Sequence, residues 1–272
     1  PPRSTLFPYT TLFRSGMDLD ELQALLKAKA EKKQKVRFIY TIPDYQNPSG
    51  IVMSIEKRKH LLEIASYWEI PVVEDSPYRE ISFTGTTLPS LWSLSDGKGV
   101  IQLKTFSKML FLGMRLGWIV AQKEIVDKFA LMKQSVDLCS PTFNQLIVAK
   151  YIKEGKMKAT IGHAIELYTK KNTCMLNALK QYMPEYVTWS EPKGGMFLWL
   201  TLPKYVDTKE MIPMAANNKV FYVTGNPFHC DGSGKNTLRL NYSYPTFEQI
   251  DKGIQSLATT IKEYCTSKVE RV

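Results

Sequence analysis

Short apolar runs that alternate with amphipathic helical segments are the feature that most constrains the fold of this chain. The runs are residues 36–42, 70–74, 100–105 and 116–121. A helix fits residues 17–30, where leucines recur at helical spacing with acids early and lysines late. A second helix is predicted after Ser54, a residue type that caps helices. Strand, helix and strand in this order are typical of an α/β domain with a largely parallel sheet.

The second half of the sequence has a different pattern. Residues 141–179 read as long helices with a break near Gly155, and four short strand-like runs separated by glycine, proline and aspartate follow them. These runs are residues 186–189, 196–201, 220–223 and 236–241. A last helix is predicted from Thr246, because Gln249 three residues later completes a capping box. This half therefore reads as a smaller α+β unit.

The first fifteen residues fit neither pattern. Residues 4–15, S-T-L-F-P-Y-T-T-L-F-R-S, look like the in-frame translation of a common sequencing-library adapter; the alternative is a genuine flexible N-terminus. We therefore expect that the gene was cut and that its true N-terminal part is missing. The predicted organisation is a non-native leader over residues 1–15, an incomplete large domain over residues 16–154 and a small C-terminal domain over residues 155–272.

Composition argues against several classes of protein. The chain is 44% hydrophobic and 23% charged, which is ordinary for a globular protein. It has no apolar stretch as long as a membrane span and no visible signal peptide. The four cysteines are scattered without a C-x-x-C pair and the three histidines stand alone. We therefore expect no metal site and no disulfide framework, and a cytoplasmic location is the default.

The charge is basic, at a formal +10. The lysines are spread along amphipathic segments, and the one dense stretch, residues 27–35, reads as the solvated end of a helix. Nucleic-acid binding by this segment is thus not expected, whereas a basic surface also suits anionic substrates.

Polar blocks follow the predicted strands. Residues 43–50, P-D-Y-Q-N-P-S-G, follow the first strand, and residues 74–78, E-D-S-P-Y, follow the second. Residues 105–108, T-F-S-K, follow the third, with Arg115 seven residues after the lysine, and Arg239 lies in L-R-L-N-Y-S near the C-terminus. Ligands gather at the carboxyl ends of strands in open α/β sheets. We expect the first three blocks to project into one such crevice.

The residue types in these blocks fit a pyridine aldehyde that carries a phosphate. A lysine can form a Schiff base with the aldehyde carbon. A carboxylate beside the pyridine nitrogen keeps the ring protonated, so that the ring acts as an electron sink. Hydrogen-bond donors suit the phenolate oxygen of the ring. A hydroxyl and an arginine suit the phosphate, and a second arginine suits a substrate carboxylate.

In this order and spacing, the blocks resemble the class I/II aminotransferases, which have fold type I and use pyridoxal 5′-phosphate. The matching elements are Q-N-P-x-G, D-x-x-Y, [ST]-x-S-K with an arginine seven residues on, G-G-M-F and R-L-x-x-S. The chain looks similar to the 2-aminoadipate, kynurenine and aromatic amino acid aminotransferases, which share this domain with MocR-type regulators. The resemblance covers residue 16 to about Tyr264. It implies part of a fold-type I large domain, followed by a small α+β domain, in a homodimer.

The resemblance implies roles for four residues around the cofactor ring. Lys108 would form the Schiff base and carry the proton between the substrate carbon and the cofactor. Asp75 would pair with the pyridinium nitrogen. Tyr78 and Asn47 would donate hydrogen bonds to the phenolate oxygen.

Four further residues would bind the anionic groups. Thr105 and Arg115 would hold the phosphate with a contribution from Ser107, and Arg239 would clamp the α-carboxylate of the substrate. Each of the eight residues also has a structural interpretation when taken alone; Asp75, for example, could cap a helix. Together, and placed after strands, they favour the cofactor site.

The sequence departs from the family pattern in two loops and in one larger respect. Residues 111–113, F-L-G, and residues 224–227, T-G-N-P, lack the usual Pro-Gly, so the resemblance does not imply the shape of these two loops. Family members also carry an upstream part with a glycine-rich phosphate loop, an aromatic residue that stacks on the ring, and dimer-interface residues. The sequence before Met17 contains none of these. We therefore expect the chain by itself to bind the cofactor weakly and not to transaminate.

Three functions stay open from the sequence. The first is an enzyme that moves an amino group between an amino acid, such as 2-aminoadipate or an aromatic amino acid, and a 2-oxo acid such as 2-oxoglutarate. The second is the cofactor-binding half of a MocR-type transcriptional regulator, the one case in which nucleic acid would be a partner. The third is an inactive fragment of either. The preferred side chain of the substrate cannot be read from these residues.

Overall fold

The computed structural model describes residues 16–269, which form two compact units. The N-terminal unit comprises residues 16–44 and Val52–Ile165, and the C-terminal unit comprises Tyr45–Ile51 and residues 166–269. The predicted leader lies outside the described residues. The predicted domain boundary after residue 154 stays a prediction.

The N-terminal unit contains a four-stranded sheet. Its strands are β1 (Ile39–Thr41), β2 (Val72–Asp75), β3 (Val100–Thr105) and β4 (Gly117–Val120), and they lie in this order across the sheet. Strands β1, β2 and β3 are parallel, and β4 runs antiparallel to β3. The mainly parallel sheet confirms the predicted α/β architecture.

The helices of this unit begin close to the predicted residues, except those at residues 91–94 and 123–136, which were not predicted. They are α1 (Leu19–Glu31), α2 (Ile55–Tyr67), α3 (Leu91–Leu94), α4 (Lys123–Val136), α5 (Thr142–Lys153) and the first part of α6 (Lys156–Tyr182). Ser54 caps α2 by accepting a hydrogen bond from the backbone N–H of Lys57 at 3.3 Å, as predicted. A left-handed Gly155 separates α5 from α6, which confirms the predicted break.

The two faces of this sheet differ in burial. One face carries buried side chains, among them Ile39, Val72, Glu74 and Val100. On the other face, pairing of Tyr40 with Val73 and of Asp75 with Leu103 places Tyr40, Asp75 and Thr105 on the same side, because side chains alternate along a strand. This second face is only half-buried.

The C-terminal unit has an antiparallel sheet and flanking helices. Its strands are β5 (Thr188–Trp189), β6 (Phe197–Thr201), β7 (Val223–Thr224) and β8 (Thr237–Asn241), in the order β5-β6-β8-β7. Besides the rest of α6 it has α7 (Ile212–Asn217) and α8 (Phe247–Val269). The predicted strand over residues 220–223 is wrong in its position, because the N–H of Val220 closes the end of α7 by donating to Ala215 at 3.0 Å. The α+β character agrees with the prediction.

Helix α8 begins at the predicted capping box. Thr246 N–H donates to Oε1 of Gln249 at 2.9 Å, and Gln249 N–H donates to Oγ1 of Thr246 at 3.2 Å. The apolar stripe of α8 is buried together with one face of the sheet, and these residues are Leu198, Leu200, Leu238, Leu240, Ile250, Ile254, Leu257 and Ile261. The opposite sheet face carries Phe197, Trp199 and Arg239. No helix in residues 16–269 has the length and apolar content to cross a membrane.

Candidate functional site

Two candidate residues end neighbouring parallel strands. Asp75 is the last residue of β2 and Thr105 the last residue of β3. Because the two strands are parallel and in register, both side chains emerge at the same edge and on the same face of the sheet. For these two blocks, the expected placement at strand ends is confirmed.

The Asp75 carboxylate is half-buried and has an unforeseen partner. Its Oδ2 accepts a hydrogen bond from the Tyr40 hydroxyl at 2.7 Å. Burial raises the pKa of Asp75, while the hydrogen bonds from Tyr40 and from the N–H of Ser76 oppose this shift. Within residues 16–269 no basic side chain pairs with Asp75. The strand alternation at residues 39–41 was the sequence signal that could have identified Tyr40, which lies on the face opposite Ile39 and Thr41.

Tyr78 follows β2 and is buried, with 5% of its surface exposed. The next residue, Arg79, donates to Asp44 Oδ2 at 2.7 Å. This contact fixes the backbone beside Tyr78 to the segment that follows β1.

A buried arginine, Arg58 of α2, completes this charged cluster. Its Nη2 donates to Asp44 Oδ1 at 2.5 Å and to the Pro43 carbonyl at 3.1 Å, and its Nε donates to the Met53 carbonyl at 3.0 Å. Pro43 and Met53 precede and follow the segment Tyr45–Ile51, which carries Asn47. Arg58 therefore holds both stems of this segment, a role that sequence reasoning missed.

Lys108 lies in the loop that joins β3 to β4. The loop is closed by the N–H of Phe106, which donates to the Leu116 carbonyl at 3.1 Å. A Cβ on Gly117 would lie 2.8 Å from the Lys104 carbonyl, so that a side chain is excluded at this closure. The Lys108 side chain is half-buried, and within the described part of the chain no carboxylate pairs with its amine.

Hydrogen bonds between Thr105 and Ser107 close a small turn at the start of this loop. Thr105 Oγ1 accepts from the N–H of Ser107 at 3.1 Å. Its own proton is directed toward Ser107 Oγ, at 3.0 Å, and the Leu116 carbonyl, at 3.1 Å. Ser107 Oγ is therefore an acceptor in this turn.

Arg115 stands at the far end of the same loop. Its backbone is left-handed, with φ 50° and ψ 40°, and its side chain is exposed. The guanidinium contacts the Leu112 carbonyl at 3.5 Å. Of residues 111–113, which stand in place of the usual Pro-Gly, Leu112 and Gly113 belong to a short 3-10 turn, Leu112–Met114, just before Arg115.

Asn47 and Arg239 meet in the C-terminal unit although 192 residues separate them in sequence. Nη1 of Arg239 donates to Oδ1 of Asn47 at 2.6 Å. The amide oxygen accepts this bond, and Nδ2, the donor end of the Asn47 side chain, takes no part in it. The predicted role of Asn47 requires such a donor.

Two glycines bring the Q-N-P-S-G and G-G-M-F motifs together. Gly50 has φ +71°, and a Cβ there would lie 2.6 Å from the Phe197 carbonyl. Gly195 has φ +73°, and a Cβ there would lie 2.7 Å from Cβ of Tyr45. Both positions exclude a side chain, so these motif glycines shape the segment that carries Asn47.

The N-terminal unit thus contains six of the eight predicted site residues, and the C-terminal unit contains Asn47 and Arg239. Their predicted roles stay predictions. No group of three histidine, cysteine or carboxylate side chains that could hold a metal occurs in residues 16–269.

Comparison with known proteins places the chain in a family. The profile of the family Aminotransferase class I and II matches residues 5–257. The aromatic-amino-acid aminotransferase 1 of Thermococcus litoralis is 43% identical over 91% of this chain and 60% of its own length. A more distant match, an uncharacterized HTH-type transcriptional regulator of Bacillus subtilis, is 25% identical over 92% of this chain and 51% of its own length.

Solved structures agree with the sequence comparison. The multiple substrate aminotransferase of Thermococcus profundus has a TM-score of 0.89 and 41% identity, over 95% of this chain and 63% of that chain. The alpha-aminoadipate aminotransferase of Thermus thermophilus, complexed with N-(5′-phosphopyridoxyl)-L-leucine, has a TM-score of 0.87 and 37% identity. The match covers 94% of this chain and 65% of that chain. The chain spans about three fifths of the length of the relatives it matches. It belongs to the class I and II aminotransferase family, with the fold-type I architecture of these enzymes.

Proposed function

We propose that this chain carries the cofactor-binding residues of a pyridoxal-phosphate-dependent aminotransferase. The reaction is transfer of an amino group between an amino acid and a 2-oxo acid. The proposed substrates are 2-aminoadipate, an aromatic or a similar amino acid, with 2-oxoglutarate as the 2-oxo acid. The names of the relatives above support the amino acids. The observation that carries the proposal is the half-buried Asp75 carboxylate at the end of β2, which has no basic partner in residues 16–269.

The donor set fits the cofactor. A half-buried carboxylate without a basic partner is suited to a positively charged ring nitrogen, because that pairing compensates the charge that burial disfavours. The Tyr40 hydroxyl fixes the carboxylate, so that Asp75 presents a defined acceptor. Half-buried Lys108 and buried Tyr78 follow in the next segments of the same unit.

When bound, pyridoxal phosphate supplies an aldehyde that bonds to amines and a ring that draws electrons from the substrate α-carbon. Lys108 would hold the aldehyde carbon and would then take a proton from the substrate and return it. Asp75 would stabilise positive charge at the ring nitrogen. Tyr78 and Nδ2 of Asn47 would donate to the phenolate oxygen.

Phosphate and carboxylate would be held by the remaining residues. Ser107 Oγ accepts from Thr105, so its own proton is the better placed of the two to reach a phosphate oxygen. Arg115 would add a bidentate charged contact, and Arg239 would pair with the substrate α-carboxylate.

The assignment of Lys108 is tested without measuring turnover. The chain is incubated with pyridoxal phosphate, reduced with borohydride and mapped by mass spectrometry. We expect the phosphopyridoxyl group on Lys108, with little label when pyridoxal without the phosphate is used. Lys104, a half-buried lysine that pairs with Glu80 at 3.2 Å, is the matched comparison. Equal labelling of Lys104 and Lys108 would contradict the assignment.

A regulator is the second candidate, because the distant HTH-type match spans nearly all of this chain. A basic helix-turn-helix segment encoded upstream in the gene would favour it over the enzyme. A homodimer, a cytoplasmic location and weak cofactor binding by this chain alone stay predictions.

A further inference from the structure

The guanidinium of Arg239 lies against two aromatic rings. Its Cζ is 4.2 Å from the ring centre of Phe197 and 5.3 Å from the ring centre of Phe228. Both distances are within the range in which a cation is attracted to the face of an aromatic ring. The two rings come from different elements, strand β6 and the 3-10 turn Asn226–Phe228.

Strand pairing accounts for the first ring. Trp199 of β6 lies opposite Arg239 of β8. Phe197 is two residues from Trp199, so it is on the same sheet face and diagonal to Arg239. Phe197 is itself buried, which removes water from one side of the guanidinium.

The second ring is fixed by its surroundings. Phe228 packs edge-on against Trp199, with ring centres 5.7 Å apart and an interplanar angle of 83°. The Phe228 N–H donates to the Gly225 carbonyl at 2.9 Å. The side chain of Asn226 donates to the carbonyls of Gly232, at 2.7 Å, and Ser233, at 2.9 Å, which closes the loop behind the ring.

We propose that Phe228 and Phe197 are positioning residues that set the plane of the Arg239 guanidinium for a carboxylate. The rings restrict its tilt, and the bond to Asn47 restricts its rotation within that plane. A guanidinium held in this way loses little freedom when it pairs with a carboxylate, so the pair forms more readily. The inference rests on the proposed function, in which Arg239 is the carboxylate-binding residue.

The test distinguishes the effect of an aromatic ring at position 228 from the effect of side-chain size. Phe228→Leu removes the aromatic face, and Phe228→Tyr keeps it. Phe221→Leu is the control, because it is the same substitution at another position of the same unit. Phe221 is 78% exposed. The readout is the Nε–H resonance of Arg239 in the full chain, assigned with Arg239→Lys. Pyruvate, a 2-oxo acid with a single carboxylate, is the probe, with sodium chloride at equal ionic strength as the blank.

In the wild type we expect Arg239 Nε–H to be shifted by the ring currents and to move again with pyruvate. Phe228→Leu should lose part of the ring-current shift and bind pyruvate about two- to tenfold more weakly, in line with the loss of one cation–π contact. Phe228→Tyr and Phe221→Leu should match the wild type. A thermal unfolding curve for each variant shows whether it is folded.

Two results would overturn the inference in different ways. If folded Phe228→Leu binds pyruvate as tightly as the wild type, the rings do not position Arg239, and the proposed function is untouched. If pyruvate does not move the Arg239 resonance in the wild type, Arg239 is not the carboxylate residue. The proposed role of Arg239 then fails together with the inference, while borohydride labelling at Lys108 still decides on the cofactor.

Discussion

The Asp75 carboxyl group lies where its surroundings favour the neutral form, because burial raises its pKa. A positive ring nitrogen at this place would reverse that preference. The residue is thus suited to a cationic ligand, and without one the folded chain disfavours its charged form. Functional groups held in such positions commonly trade stability for activity.

The first prediction concerns this cost. Because the folded-state pKa of Asp75 is raised, the stability it contributes is complete below the unfolded-state pKa and is lost as the pH rises through the folded-state pKa. Without cofactor, Asp75→Asn should therefore be more stable than the wild type at pH 7, and the difference should shrink on acidification. Urea unfolding of both proteins from pH 7 down to about pH 3, below the ordinary pKa of an aspartate, measures this as a convergence of the two stability curves.

Asp231 provides the control with the opposite sign. Hydrogen bonds from Ser233 lower the pKa of Asp231. Its contribution is therefore present at neutral pH and lost as the pH falls through its folded-state pKa. Asp231→Asn should be the less stable protein at pH 7. If both variants change stability in the same direction, the burial of Asp75 does not control its ionisation.

At the scale of elements, helix α2 and the segments after β1 and β2 are joined by the Arg58–Asp44–Arg79 cluster. Arg58 has no exposed surface, and Asp44 is 3% exposed in its side chain. Each arginine also donates to backbone carbonyls, so the cluster ties together segments that carry no regular hydrogen-bond ladder. The stems of the Asn47 segment depend on it.

We predict that Arg58→Met destabilises the chain by about 3–5 kcal/mol, because the buried Asp44 carboxylate loses one of its charged partners. Arg37→Met, at an exposed position of the same unit, should change stability by less than about 0.5 kcal/mol. Chemical denaturation at pH 7 measures both. A loss below about 1 kcal/mol for Arg58→Met would mean that Arg79 alone satisfies Asp44.

The same cluster shows where sequence reasoning stops. Strand β3 and the start of α8 were predicted at their observed residues, because burial periodicity and capping are local. Arg58 lies in residues 56–60, E-K-R-K-H, a pattern that reads as a solvated helix face. Its burial depends on Asp44, fourteen residues away, and on Pro89, so no local pattern contains it. The meeting of Arg239 with Asn47 likewise comes from tertiary packing.

At the scale of the whole molecule, apolar side chains are exposed on α4 and α5, two helices that are consecutive in the sequence. On α4 no residue is buried, although Val126, Phe129, Met132 and Val136 form a stripe at helical spacing. Phe143, Leu146 and Ile147 are exposed at the start of α5. Single exposed apolar residues are ordinary, but stripes of this kind are associated with contacts to other surfaces.

The last prediction is that the chain associates with itself through these stripes. The double variant Met132→Lys and Leu146→Lys replaces residues that are 62% and 64% exposed, so it should weaken association with little change in folding. Phe221→Lys, at a residue that is 78% exposed and outside these helices, is the matched control and should associate as the wild type does. Sedimentation velocity over a range of protein concentrations measures the effect. Because lysines on a shared contact face repel and resist desolvation, a double variant that sediments like the wild type would show that the contact lies elsewhere.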